Sequence, residues 1–254
     1  MDALSPRQSE IVALAKSEGR VAVEDLAERF GVTPQTIRKD LNELCDSGVL
    51  NRYHGGAVPA AAGAANFGYE ARRRLAPDEK RAIGKAAAEL IPDGSSLLIN
   101  IGTTTEQVAT ALRGHRGLMV ITNNINVANI LQGFDDIEVV VAGGVLRHAD
   151  GGIVGEAAVD FIRQFRVDFA IIGTSAIDLD GTLLDFDYRE VKVAKAIMAC
   201  ARKSILVADS MKLDRTAPVR IGHVSDLDIF VTDAMPPRAI ADICRDNEVR
   251  IEIA

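Results

Sequence analysis

Ile99-Asn100-Ile101-Gly102-Thr103-Thr104-Thr105 lies between two patterns that together decide the fold. Upstream, Ser96-Leu97-Leu98-Ile99 is a short apolar run of the kind that forms a buried strand. Downstream, Val108, Ala111 and Leu112 recur at helical spacing along Glu106–Leu112 and share a face. A glycine and three hydroxyl residues at a strand-to-helix turn suit an anion. Gly102 permits a tight turn, the first-turn amides of the helix point outward, and the helix dipole favours negative charge there. An ordinary strand–helix turn capped by threonine fits the same spacing equally well, so the surroundings decide.

Further along, apolar runs fall at residues 96–101, 118–122, 137–142, 167–173, 204–208 and 229–232, with helical patterns between most of them. A last helix is expected at about 236–246 and an edge strand at 249–253. This alternation predicts an α/β domain built on a mostly parallel sheet, in which ligands bind beyond the carboxyl ends of the strands. Those ends carry Asn100, Gly102, Thr103, Thr104 and Thr105, then Thr122 and Asn123, then Gly143, Gly144 and Arg147, then Gly173-Thr174-Ser175, and finally Asp209-Ser210-Met211-Lys212. Converging, they would suit a small polyol or sugar carrying a phosphate. Arg147 and Lys212 would take the anion, and Asp209 and Asn123 the hydroxyls. The competing readings are a helix cap for Asn123, surface charges for Arg147 and Lys212, and a plain tight turn at Gly143-Gly144.

Upstream of the sheet the pattern begins with helices. Ser5-Pro6 suits a helix start and Gly19 a stop, with Ile11, Leu14 and Ala15 on one face. Arg20-Val21-Ala22 reads as a short link to a second helix, Val23 to Phe30. After Gly31-Val32, Thr33-Pro34 opens a third, with Ile37, Leu41 and Leu44 inward. Two short helices about a glycine turn read as a helix-turn-helix, whose second helix would enter the major groove of DNA. Gln35, Arg38 and Lys39 are chemically suited to bases, and Thr36 to phosphate or a thymine methyl. A plain three-helix bundle with a solvated polar face is the alternative. Residues 48–57 are expected to form a β-wing that brings Arg52 and His54 near the phosphate backbone. The divisions expected are a winged helix-turn-helix domain at 1–57, a linker at 58–78 that includes Arg72-Arg73-Arg74, and an effector domain at 79–254.

Composition narrows the classes. The 254 residues are 48% hydrophobic, enough to bury a core. No apolar run approaches the roughly 18 residues a membrane helix needs, and Met1 to Glu10 lack a signal-peptide apolar region. Cys45, Cys200 and Cys244 are scattered without metal spacing, which suits a reducing cytoplasm. Neither a metal nor any other cofactor is expected. The net charge is −7, and residues 1–58 hold seven Lys/Arg against nine Asp/Glu. Bulk charge thus argues against nucleic acid, and DNA binding must rest on where individual cations sit.

Leu26 to Leu41, with Gly31-Val32-Thr33-Pro34-Gln35-Thr36-Ile37-Arg38-Lys39-Asp40 at its centre, resembles the helix-turn-helix signature of the DeoR family of bacterial sugar-metabolism repressors, as does Arg52-Tyr53-His54-Gly55-Gly56-Ala57. Thr33 and Lys39 stand where the family usually has Ser and Arg. The second half resembles the family's sensor domain, similar in fold to ribose-5-phosphate isomerase, through Gly102–Thr105, Thr122-Asn123, Gly143-Gly144, Gly155-Glu156 and Asp209-Ser210-Met211-Lys212. Asn100 stands where the family often has Asp. Thr122–Asn129, 150–157, 160–169 and 184–191 narrow the resemblance to members that answer to glycerol 3-phosphate. The resemblance implies a repressor of glycerol metabolism genes, operator DNA as partner, sn-glycerol 3-phosphate as phosphorylated inducer, and a homo-oligomer, dimer or tetramer, with no membrane role.

An enzyme reading, a sugar-phosphate isomerase with an appended regulatory domain, would draw on Asp178, Asp180, Asp185, Asp187 and Glu190. The isomerases concerned use an Asp-Gly-Ala-Asp-Glu motif. The corresponding stretch here, Thr174-Ser175-Ala176-Ile177-Asp178, has lost most of that acidity, so catalysis is not expected.

Overall fold

Ser5 opens the chain's first helix, α1 (Pro6–Glu18), through a reciprocal cap: its hydroxyl accepts from the Gln8 amide, and the Gln8 side chain accepts from the Ser5 amide. The computed structural model describes residues 4–46, 49–53, 55–59 and 68–254. By its contacts the chain divides into two compact units, Met1–Leu75 and Ala76–Ala254.

In the first unit α1 is followed by β1 (Val21–Ala22), α2 (Val23–Phe30), α3 (Pro34–Asp46), β2 (Leu50–Tyr53) and β3 (Gly56–Pro59). Gly31 joins α2 to α3 in the left-handed conformation at φ 61°, which glycine adopts without steric cost. The strands form a small antiparallel sheet in the order β1-β3-β2, the wing. Ile11, Ala15, Leu26, Ile37, Leu41, Leu44 and Leu50 fill the core between helices and wing. Two expectations change. Val21-Ala22 is a strand paired with β3, because the wing needs a third partner for its backbone groups. The supposed linker contains structure: β3 runs to Pro59, and a further helix, α4 (Tyr69–Arg74), packs on the end of α1, where a methyl group on Gly19 would lie 3.2 Å from Ala71 Cβ.

The second unit runs α5 (Pro77–Glu89), β4 (Ser96–Ile99), α6 (Thr103–Ala111), β5 (Leu118–Thr122), α7 (Ile125–Leu131), β6 (Ile137–Val141), β7 (Val145–Arg147), β8 (Gly152–Val154), α8 (Glu156–Ile162), β9 (Val167–Ile172), β10 (Ala176–Ile177), β11 (Thr182–Asp185), α9 (Tyr188–Ala199), β12 (Ala201–Val207), β13 (Val219–His223), β14 (Ile229–Thr232), α10 (Arg238–Asp246) and β15 (Arg250–Ile253). Seven strands form one sheet in the order β15-β14-β12-β9-β4-β5-β6, and every pair in it is parallel.

Alternation along the strands sorts the apolar side chains into two layers. Leu98, Ile121, Ala170, Leu206 and Phe230 pack under α8, α9 and α10 through residues such as Val159, Ile197 and Ile240. Leu97, Ile99, Val120, Ile171 and Val231 pack under α5, α6 and α7 through Ile83, Val108 and Val127. Both faces are covered, which is why the strands read as continuous apolar runs instead of an alternation.

Strand order places the crevice. From β4 the chain adds β5 and β6 on one side and then crosses to add β9 on the other. The segment leaving β4 enters α6 on one face of the sheet, and the segment leaving β9 leads to α9 on the opposite face. The two connections diverge beyond the carboxyl ends of β4 and β9, the position where open parallel sheets bind ligands. Ile99-Asn100-Ile101-Gly102 therefore lies at the switch point of the fold. Two accessory pieces flank it: the antiparallel hairpin β7–β8 and a small antiparallel sheet ordered β10-β11-β13.

Candidate functional site

The strand-end residues divide into those committed to the scaffold and those left open. Thr105 Oγ1 lies 2.8 Å from the carbonyl oxygens of both Asn100 and Gly102, closing the turn before α6. Thr122 Oγ1 donates to the Ile99 carbonyl at 2.7 Å and accepts from the Asn124 amide at 3.0 Å. These two hydroxyls tie strand ends together, which corrects their expected place as ligand donors. Thr103 and Thr104, in the first turn of α6, differ: no side-chain hydrogen bond joins either hydroxyl to another of the described residues. Gly102 precedes them at φ 152°.

Asn123 is fully buried, and its Nδ2 donates to the Ile153 carbonyl at 3.0 Å. Its backbone carbonyl accepts from the Ile153 amide, so the β8 strand is stitched to it on both sides. Its Oδ1, like the Oδ1 of the 2%-exposed Asn100, is buried without a hydrogen-bond partner. Capping of α7 falls to Asn124, whose side chain accepts from the Asn126 amide. Asn123 is therefore not the helix cap.

Asp150 to Ile153, at the turn into β8, form a strap across the residues that follow β5. The Ile125 amide donates to the Gly151 carbonyl, and Asn126 Nδ2 donates to the Asp150 carbonyl at 3.0 Å. Glu106, in the first turn of α6 and buried, accepts from Asn124 Nδ2 at 3.2 Å and Asn126 Nδ2 at 3.0 Å. The strap and Glu106 escaped the sequence reading. Glu106 falls on a helical pattern as one more polar residue, and only the fold brings two amides to it.

Arg147 is the clearest correction. Its guanidinium donates to Asp150 at 2.8 and 2.6 Å, to Asp187 at 3.0 Å and to Glu190 at 2.5 Å. Burial works against the charge, yet the bonds to Asp150 and Glu190 outweigh it and hold the Arg147 pKa above its usual range. With its donors spent on three carboxylates, the side chain serves as the lock of the hairpin on α9, not as an anion clamp. Asp187 also pairs with Arg189, and these bonds bring its carboxyl down to about 2.

Gly144 adopts φ 147° and passes close to Ile153, where a Cβ would lie 2.9 Å from Ile153 Cγ2. Gly143 faces open space and needs no glycine on these grounds. Asp209 is 97% buried beyond β12, where a short turn, Ser210–Asp214, begins; the Lys212 amide donates to the Asp209 carbonyl at 3.0 Å. Ser210 donates to Asp233 through its amide and its hydroxyl, fixing the turn on β14. Asp209 and Lys212 are thus held at the carboxyl edge of the sheet, two strands from β4.

The carboxylates of the enzyme reading are mostly occupied. Asp180 accepts from the Thr182 amide, Asp185 from Ser175 and the Phe186 amide, Asp187 caps α9, and Glu190 binds Arg147. Among the described residues no cluster of three or more His, Cys, Asp or Glu is arranged to hold a metal, and no helix is long and apolar enough to cross a membrane.

In the first unit, Thr33 begins α3, accepting from the Thr36 amide while its hydroxyl lies 3.0 Å from that of Thr36. Gln35, Arg38 and Lys39 are exposed on one face of α3, at spacings of three and four residues. Each cation has an acidic neighbour: Glu24 lies 3.5 Å from Arg38, and Glu43 lies 4.0 Å from Lys39. Arg7 binds the buried Asp40 at 2.6 Å and fixes α1 on the inner face of α3. Arg52, on the wing, donates to Asn42 of α3. His54 lies outside the described residues.

Residues 7–61 match the DeoR-like helix-turn-helix domain, and residues 75–234 match the DeoR C-terminal sensor domain. The chain is 46% identical to the glycerol-3-phosphate regulon repressor of Escherichia coli (strain K12), over 97% of this chain and 98% of that one. It is 47% identical to the protein of the same name from Haemophilus influenzae, over 97% and 96%. Among solved structures, ribose 5-phosphate isomerase from Plasmodium falciparum aligns at a TM-score of 0.39 and 16% identity, over 53% of this chain and 52% of that one. The chain belongs to the DeoR family of helix-turn-helix repressors.

Proposed function

We propose that this repressor controls glycerol metabolism genes in the cytoplasm and leaves its operator when sn-glycerol 3-phosphate binds the second unit. The carrying observation is the first turn of α6. Thr103 and Thr104 bring two hydroxyls without partners among the described residues to a helix N-terminus at the switch point of the sheet. That arrangement suits a phosphate, with Lys212 as the cation from β12 and with Asp209, Asn100 and Asn123 as acceptors for hydroxyls. The name of the relatives that match over nearly the whole length supports the choice of glycerol 3-phosphate. Regulation follows if the ligand prefers the arrangement that binds DNA weakly, and its effect cannot exceed that preference. Gln35, Thr36, Arg38 and Lys39 would read the operator, with Thr33, Arg52 and His54 near its backbone. A two-fold operator requires at least a dimer.

Thermal unfolding of the full chain with glycerol 3-phosphate, glycerol, fructose 1-phosphate, ribose 5-phosphate and inorganic phosphate tests the effector. At 100 times its dissociation constant a ligand stabilises the native state by about 2.7 kcal/mol. A selective rise with glycerol 3-phosphate, followed by release of operator DNA at the same concentrations, is expected. A rise with another sugar phosphate alone replaces the effector, and no rise with any of them removes the pocket.

A further inference from the structure

Asn100 and Asn123 leave neighbouring strands at the same level. β4 and β5 are parallel with Ile99 opposite Thr122, so the next residues of each strand emerge side by side, about 5 Å apart at their Cα atoms. Leu98 and Ile121, two residues earlier, both belong to the layer under α8–α10. The pleat therefore sends both asparagines to that face, where Ile153 also packs. Each Oδ1 is buried and without a partner. For Asn123 the orientation is fixed, since a carbonyl can only accept: Nδ2 must face the Ile153 oxygen and Oδ1 must face away. Thr122 and Thr105 nearby have already spent their hydroxyls on backbone carbonyls.

We infer that the side-chain oxygens of Asn100 and Asn123 form an acceptor pair that selects ligands carrying two hydroxyls on adjacent carbons. This rests on the reading of the pocket given above and adds a rule of selection to it. Two acceptors on adjacent strands call for two donors from the ligand. A phosphate ester of a vicinal diol supplies both, whereas a ketone in place of one hydroxyl supplies an acceptor and leaves an asparagine oxygen unpaired. A buried acceptor without a partner is costly, and sites built to bind a hydroxyl reject analogues that lack it. Both oxygens are closed to solvent in this structure, so the side chains around them must part by about the width of a hydroxyl to admit the diol, while the hydrogen bonds of Ile153 keep Asn123 aimed.

The test is calorimetric titration of the full-length protein with sn-glycerol 3-phosphate and with dihydroxyacetone phosphate, which differ only at the middle carbon. The wild type is expected to bind the diol at least about tenfold more tightly than the ketone. Asn100→Leu and Asn123→Leu each replace an amide by an apolar group of similar shape. In the one facing the middle carbon the ratio should fall to within about threefold, because no acceptor remains to go unpaired. Equal affinity of the wild type for both ligands overturns the acceptor pair while leaving the pocket standing. So does a wild-type ratio retained in both variants, the result expected if a buried water joins the two amides. No binding of glycerol 3-phosphate to the wild type overturns the functional reading and this inference with it. Should a variant fail to fold, the wild-type pair of titrations decides alone.

Discussion

Asp187 does two jobs that a single substitution separates. Its oxygens cap α9 by accepting from the Arg189 amide and pair with the guanidiniums of Arg189 and Arg147. Asparagine keeps an acceptor for the cap and loses the charge. A carboxyl held at about 2, below its ordinary 3.8, contributes stability that is complete above pH 4 and is lost as the pH falls through 2. Asp187→Asn should therefore lower the urea midpoint at pH 6 and match the wild type near pH 2; a constant difference across that range would refute the assignment. On the first unit, Arg38→Ala should weaken operator binding by about tenfold or more while leaving inducer binding unchanged. Undiminished operator affinity in a gel-shift titration would remove Arg38 from the recognition surface. Residues such as Ser5, Gly19 and Gly31 were legible in the sequence because caps and stops are local. Arg147 was misread because its partners Asp187 and Glu190 lie about forty residues away and reach it only through the fold.

Elements with long apolar cores announce themselves, and short ones do not. Six of the seven strands follow from apolar runs bounded by turn residues, and their parallel arrangement follows from the helices between them. The strands of the hairpin β7–β8 and of the sheet β10-β11-β13 hold at most two apolar residues in a row, so no apolar run marks them. The same brevity hid α4, whose six residues fell inside a presumed linker. Yet the hairpin is what holds Asn123 of the proposed site, through Ile153. Gly144 and Gly143 give a paired test. Gly144→Ala places a Cβ 2.9 Å from Ile153 Cγ2 at a left-handed φ. It should cost about 1–3 kcal/mol in urea unfolding and weaken inducer binding by displacing Ile153. Gly143→Ala meets open space and should change neither. Equal behaviour of the two would show that the hairpin does not position the pocket.

At the scale of the molecule, two units with separate cores imply two unfolding events. In calorimetry, glycerol 3-phosphate should raise the transition that belongs to the sheet, and operator DNA the other. A single transition raised alike by both would show the units to be thermodynamically one. The acidic neighbours of the recognition helix bear on a different property. With Glu24 of α2 beside Arg38 and Glu43 of α3 beside Lys39, both cations already have counterions in a chain of net charge −7. On the proposed reading, duplex DNA must part these two pairs before it holds Arg38 and Lys39, so the two cations are expected to add little to the salt dependence of binding to random sequence. Matching bases alone repay the parting of those pairs. If Arg38 and Lys39 read the operator as proposed, the search of the chromosome becomes a series of brief visits, with residence time concentrated at the operator.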